Sequence, residues 1–263
     1  MKKFFFFVFL FLLFSFFLPS FSRAQNKGSL ENYQELLRNY RSYQDAISPF
    51  NVKKSRHLTY GTVDTQAELL DASKNLLNTE VRAITSYTAF IKSLLAEATQ
   101  ILLYRENFLY IKLDDELAFL NISSEKIGTL SSLIDTKVLT ADLSDHYKRI
   151  SRISYQIKAI IEIESVKKVF TNLQVEKDKL SNFLDEQKES TSQILASKEK
   201  FSVLNKDLEK ISSLIGKAES SQKNLESGDP VNLTNEIWKN LSEAVLTIKT
   251  IIAGYQNIVF TLK

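Results

Sequence analysis

Apolar positions recur along this chain at steps of three and four residues, the period of an α-helix with one buried face. The segment after Pro230 shows it most fully. Ile237, Leu241, Ala244, Ile248, Ile251, Tyr255, Ile258 and Leu262 form one stripe, and Trp238, Val245, Ile252 and Val259 form a second column beside it. Two adjacent columns make a face broader than a two-stranded seam, so 230–262 is expected to be a core helix of a bundle. Asp229 and Pro230 supply its start, a side-chain cap followed by proline at the first helical position. Lys249 and Gln256 interrupt the apolar run, which argues against a membrane span.

The middle of the chain carries a weaker version of the same signal. Val166, Leu173, Leu180, Gln187, Ile194, Phe201, Leu208 and Ile215 form a column spaced by seven. The alternate column, Phe170, Lys177, Leu184, Thr191, Lys198, Asn205 and Ser212, is mostly polar. This is half of a coiled-coil pattern. The polar run Glu186–Gln193 leaves two readings, a hairpin of two helices, which is favoured, and one long helix. Between 65 and 126 a first stripe runs through Leu70, Leu77, Val81, Ile84, Ile91, Leu94, Ala98 and Ile101. A second, out of phase, runs through Leu109, Leu113, Leu117 and Leu120. One unbroken helix there would approach ~95 Å, so a break is expected within Thr99–Asn107. Residues 128–142 lose periodicity and read as a connection. Before Gly61, a helical segment over 29–60 places Tyr33, Tyr40 and Ile47 in one column and Leu36, Tyr43 and Phe50 in the next. Pro49 kinks that helix or opens a short new one.

Punctuation agrees with the pattern. Two stretches, 62–127 and 129–215, hold no proline or glycine. A β-rich domain needs turn residues about every ten positions. The fold class is therefore all-α, an elongated helical bundle with coiled-coil character, with 25–263 expected to form a single domain.

The N-terminus stands apart. Lys2 and Lys3 precede an uncharged run of 15 residues from Phe4 to Leu18, shorter than the roughly 20 that span a bilayer. Pro19 follows, and Ser22 and Ala24 fit a signal-peptidase cut between Ala24 and Gln25. Residues 1–24 thus read as a cleavable signal peptide, and the chain as exported to the periplasm, the cell surface or the medium. Its removal changes the charge. The full chain has 34 Lys and Arg against 31 Asp and Glu; Lys2, Lys3 and Arg23 leave with the signal, so the remainder carries 31 of each sign. No cationic surplus remains for a nucleic acid. The chain has no cysteine, which excludes disulfides, thiolate metal sites and a cysteine nucleophile. A lysine-led signal without cysteine favours a bacterial origin.

Candidate chemistry is thin. Neither histidine, His57 or His146, falls in a metal-binding spacing, and both read as surface or helix-end residues. Asp114, Asp115 and Glu116 splay around a helix rather than converging, and read as a solvated face. Ser-x-x-Lys occurs four times without its companion elements. No catalytic, cofactor-binding or metal-ligating residue is expected. Two surfaces remain. Tyr33, Tyr40 and Tyr43 border one helical stripe, and tyrosine suits interfaces because its ring packs while its hydroxyl stays wet. Lys53, Lys54 and Arg56, with His57, make a local basic cluster suited to a peripheral contact with a membrane or an anionic envelope polymer. The sequence thus points to a non-enzymatic interaction or structural protein that binds a protein partner or itself. A periplasmic ligand-binding or sensor-like bundle is the alternative.

Overall fold

The computed structural model describes residues 27–98, 107–187 and 191–262, and among these every regular element is helical. Six α-helices follow one another: α1 Lys27–Tyr60, α2 Val63–Ala98, α3 Asn107–Thr129, α4 Leu133–Glu186, α5 Ser192–Lys223 and α6 Pro230–Thr261. A 3-10 turn, Asn224–Glu226, sits between α5 and α6. The chain is all-α, as its period and punctuation require. The signal peptide and cleavage site expected over Met1–Gln25 lie outside the described residues, as does the break expected within Thr99–Asn107 except for Asn107, which begins α3.

The folded chain gathers into two compact units. The first takes in α1, α2 to Glu97, α3 from Leu113 and α4 to Tyr147; the second takes in the rest of α4 with α5 and α6, together with Ala98 and the start of α3 to Lys112. In the first unit α1 and α2 form an antiparallel hairpin. Tyr33 packs on Phe90 near its open end, and Lys53 pairs with Glu68 near its turn. The turn is made by Gly61 at φ +61°, a left-handed conformation that glycine takes without a Cβ clash, while its N–H closes on the His57 carbonyl at 2.8 Å. Pro49 neither ends α1 nor divides it.

In the second unit α5 returns antiparallel to α4. Arg152 donates to the Glu226 carbonyl and Lys167 pairs with Glu219. Thr191 caps α5 through its hydroxyl, which resolves the hairpin alternative in favour of two helices. The second buried column of α5 is Ser197, Leu204, Ile211 and Ala218, the first three each one residue before Lys198, Asn205 and Ser212 of the polar column read from sequence. Then α6 runs antiparallel to α5, with Lys210 to Glu243 and Lys200 to Asn257 bridging them. Asp229 caps α6 by accepting from the N–H groups of Val231 and Asn232. Seven of the eight stripe positions of α6 are buried, Ile237 through Ile258. The second column is the flank of that face: Trp238 is exposed, with Lys158 4.2 Å over its ring. By length and composition α6 is apolar enough to cross a bilayer, yet its apolar stripe packs along α5. Gly254 permits the approach, since an added Cβ would lie 2.5 Å from Leu204 Cδ1.

Other expectations shift in detail. The connection read over 128–142 shrinks to 130–132, because α4 begins at Leu133 behind a reciprocal cap. Asp135 accepts from the Ser132 N–H and Ser132 Oγ accepts from the Asp135 N–H. In α2 the expected stripe positions Leu77, Val81, Ile84, Ile91 and Ala98 are buried, while at its two ends Leu69 and Leu95 are buried in place of Leu70 and Leu94, which are half-buried.

Candidate interaction surface

α1 carries two stripes, and the fold buries the more polar one. Ser29 and Ala46 are buried, and Asn32, Leu36, Asn39, Tyr43 and Phe50 are half-buried along the same face. The neighbouring stripe, Leu30, Tyr33, Leu37 and Tyr40, is apolar and exposed at 43, 42, 37 and 52 %. Spacings of three, four and three place these four side chains in one row on the helix. Tyr33 leans on Phe90 with ring centroids 5.4 Å apart, which fixes its orientation while leaving much of the ring open. The row leads into a shallow, open groove of about 470 Å³ along the same helix, lined by Gln44, Ile47, Ser48, Asn51, Val52 and Ser55.

The three tyrosines singled out by sequence therefore divide. Tyr33 and Tyr40 belong to the exposed row, whereas Tyr43 turns toward α2. Burial, followed by the nearby Glu80 carboxylate and Tyr40, holds the Tyr43 hydroxyl above the ordinary phenol range. Burial also raises the Glu80 carboxyl above its ordinary range. This is a cost that the α1–α2 contact carries at neutral pH.

The basic cluster is largely spent inside the molecule. Lys53 donates to Glu68 at 2.9 Å and Arg56 to the same carboxylate at 3.1 Å. The Lys53 hydrogen bond, ahead of the Arg56 charge, holds Glu68 below the usual carboxylate range. His57 Nδ1 lies 3.2 Å from Thr65 Oγ1 and Lys54 stands 5.9 Å over the Phe50 ring. The cluster thus ties the last turns of α1 to the first turns of α2, and its surplus of free cation is small.

A second grouping escaped the sequence reading. In α3 the buried positions run Leu109, Leu113, Glu116, Leu120, Ser123 and Ile127, and in α4 Thr136, Leu139, Leu143, Ile150 and Ile153, with His146 in the open step. Glu116 and His146 each occupy a slot in a three–four repeat. They meet with Nδ1 2.5 Å from Oε2, and Phe119 stacks on the imidazole at 3.2 Å and 6°. Neither residue is the solvated one expected. Lys112 reaches Glu226 rather than Glu116, and Asp114 pairs with Lys92. The usable signal was phase: both residues keep step with buried neighbours. Among the described residues no group of three or more His, Cys, Asp or Glu side chains converges as a metal site, and the Glu116–His146 pair works as a polar clasp between two helices.

No family model matches the chain, and neither does any curated protein or solved structure. The functional reading accordingly stands on the residues themselves.

Proposed function

We propose that this chain is an exported, non-enzymatic helical protein of the cell envelope or extracellular space that works by docking a helix face on a protein partner. The observation that carries the reading is the exposed row Leu30, Tyr33, Leu37 and Tyr40 on α1. Four large side chains left in water along a helix whose neighbouring stripe is already packed form the kind of apolar patch that marks an interaction site. The pattern of residues 1–24 supports export, with cleavage between Ala24 and Gln25. The three–four repeats buried in α3, α4 and α5 support a coiled-coil character for the scaffold.

A photo-cross-linking residue in place of Tyr40 tests the reading in cells that express the full chain. The expected result is a discrete protein adduct at Tyr40 and none from the same probe at Glu209, an exposed polar position of α5. The adduct-forming chain should have the mass of a protein starting at Gln25. No adduct at Tyr40, or a chain retained in the cytoplasm with Met1–Ala24 attached, contradicts it.

A further inference from the structure

We infer that Glu162, Lys158 and Trp238 form a proton-operated catch, which holds the first turns of α6 against α4 more tightly in mild acid than at neutral pH. α6 has little hold on the core at its start. None of its residues from Pro230 to Glu236 is buried, and the buried stripe begins at Ile237. Next to Ile237, Trp238 meets α4. Lys158 stands 4.2 Å over its ring, and the half-buried Glu162 carboxylate lies within reach of the indole N–H. A spacing of four puts Lys158 and Glu162 on one face of α4. One aromatic side chain of α6 is thus gripped by a cation and an acid together.

The other charges around this contact are committed elsewhere. In α6, Glu236 accepts from Ser221 of α5, and Lys239 lies by Glu243, which pairs with Lys210 of α5. In α5, Glu219 pairs with Lys167, and at the start of α3 Lys112 pairs with Glu226. Lys158 is therefore the charge that faces Glu162, and Trp238 is its polar neighbour.

The sign follows from water. Packing strips water from Glu162, which disfavours its charged form. Lys158 and the indole N–H offset only part of that loss, and the carboxyl stays above the ordinary glutamate range. Packing that favours the neutral acid is in turn favoured by it. The contribution is whole below the ordinary glutamate value near ~4.3, and it is lost as pH rises through the raised one. A neutral carboxyl still accepts from the indole, and Lys158 keeps its place over the ring. The catch closes in acid and slackens toward neutral pH. Its opening frees one helix end, a local event that lies well below global unfolding.

Trp238 is the only tryptophan in the chain, so its fluorescence reads the catch without a label. Acrylamide quenching of the purified protein, excited where tyrosine does not absorb, is the measurement. From about pH 7 to about pH 5 quenching should fall roughly twofold, at unchanged helicity by circular dichroism. Glu162→Gln, neutral at every pH, should be quenched at neutral pH as weakly as the native protein is in acid, with no further change. Lys158→Met should move the midpoint to higher pH, because the charged acid loses its cation. A merely structural loss would not move that midpoint. Should Glu162→Gln lose helicity, the Lys158→Met shift alone decides. Quenching that is level with pH, a pH dependence that survives in Glu162→Gln, or a midpoint unmoved in Lys158→Met overturns the inference.

Discussion

The first and last helices make an instructive pair. They are nearly the same length, 34 residues in α1 and 32 in α6, and each bears an apolar row at three–four spacing. In α6 that row is the core: Ile237, Ala244, Ile248 and Ile251 are wholly inaccessible. In α1 the equivalent row faces water, and the helix is held to α2 through a stripe containing Ser29, Asn32 and Asn39 and through the Glu68 ion pairs near the turn. Periodicity says that a helix has a face; it does not say that the most apolar face is the one the fold uses. α6 has two adjacent apolar columns, so either choice buries hydrocarbon. α1 has one polar and one apolar stripe, and the choice is visible only in the structure. A helix that spends its polar stripe on its own fold leaves the apolar one exposed.

The sharpest way to break the comparison is to truncate one residue in each row. Ile248→Ala should cost about 2–5 kcal/mol through lost contacts and a cavity. Leu37→Ala, measured at concentrations where the protein is monomeric, should stay within about 0.5 kcal/mol. Chemical denaturation of the two variants reads the difference, and equal costs would mean that both rows are core. A smaller effect is expected at the α5–α6 approach. Gly254→Ala forces Leu204 to move and should cost about 1–3 kcal/mol by overpacking. Calorimetry should show a lowered midpoint for Gly254→Ala and none of comparable size for Gly216→Ala, where an added Cβ meets nothing within 4 Å.

The smallest expected effect concerns the polar side of α1. Burial raises the Glu80 carboxyl above its ordinary value. An acid whose folded pKa lies above its unfolded value holds its proton more tightly when folded. That contribution to stability is complete below the unfolded value and is lost as pH climbs through the folded one. Glu80→Gln should therefore stabilise the protein at pH 7, by no more than about 1 kcal/mol, and the gain should vanish as pH falls toward the ordinary glutamate range near ~4.3. Paired urea titrations at neutral and acid pH decide it. A gain that persists unchanged in acid would trace to packing rather than to the buried charge.

Much of this architecture was legible before any coordinates. The α6 face and its Asp229 cap follow from residue order alone, because both the period and the cap chemistry are local. So does the all-α class, since sparse glycine and proline leave few places to turn. What stayed hidden depends on phase or on distance. The α5 seam was misplaced by one residue because a four-step lands on Lys198, Asn205 and Ser212 where a three-step finds Ser197, Leu204 and Ile211. Glu116 and His146 are 30 residues apart and meet only when α4 folds back on α3. The cationic cluster looked available because Glu68, its counterpart, sits on the next helix. As for the candidate surface, sequence marked Tyr33 and Tyr40 but not Leu30 and Leu37, which complete the row.

Thiol accessibility compares the two rows most directly, and the cysteine-free chain suits it. Tyr40→Cys and Ile248→Cys, each the only thiol in its protein, would be labelled at dilution under native conditions. Tyr40→Cys should react at close to the rate of an unfolded thiol. Ile248→Cys should react slower by roughly a thousandfold or more, since its exposure needs the second unit to open. Protection of Tyr40→Cys in the dilute monomer, to a degree comparable with Ile248→Cys, would put the α1 row inside the fold and remove the docking face.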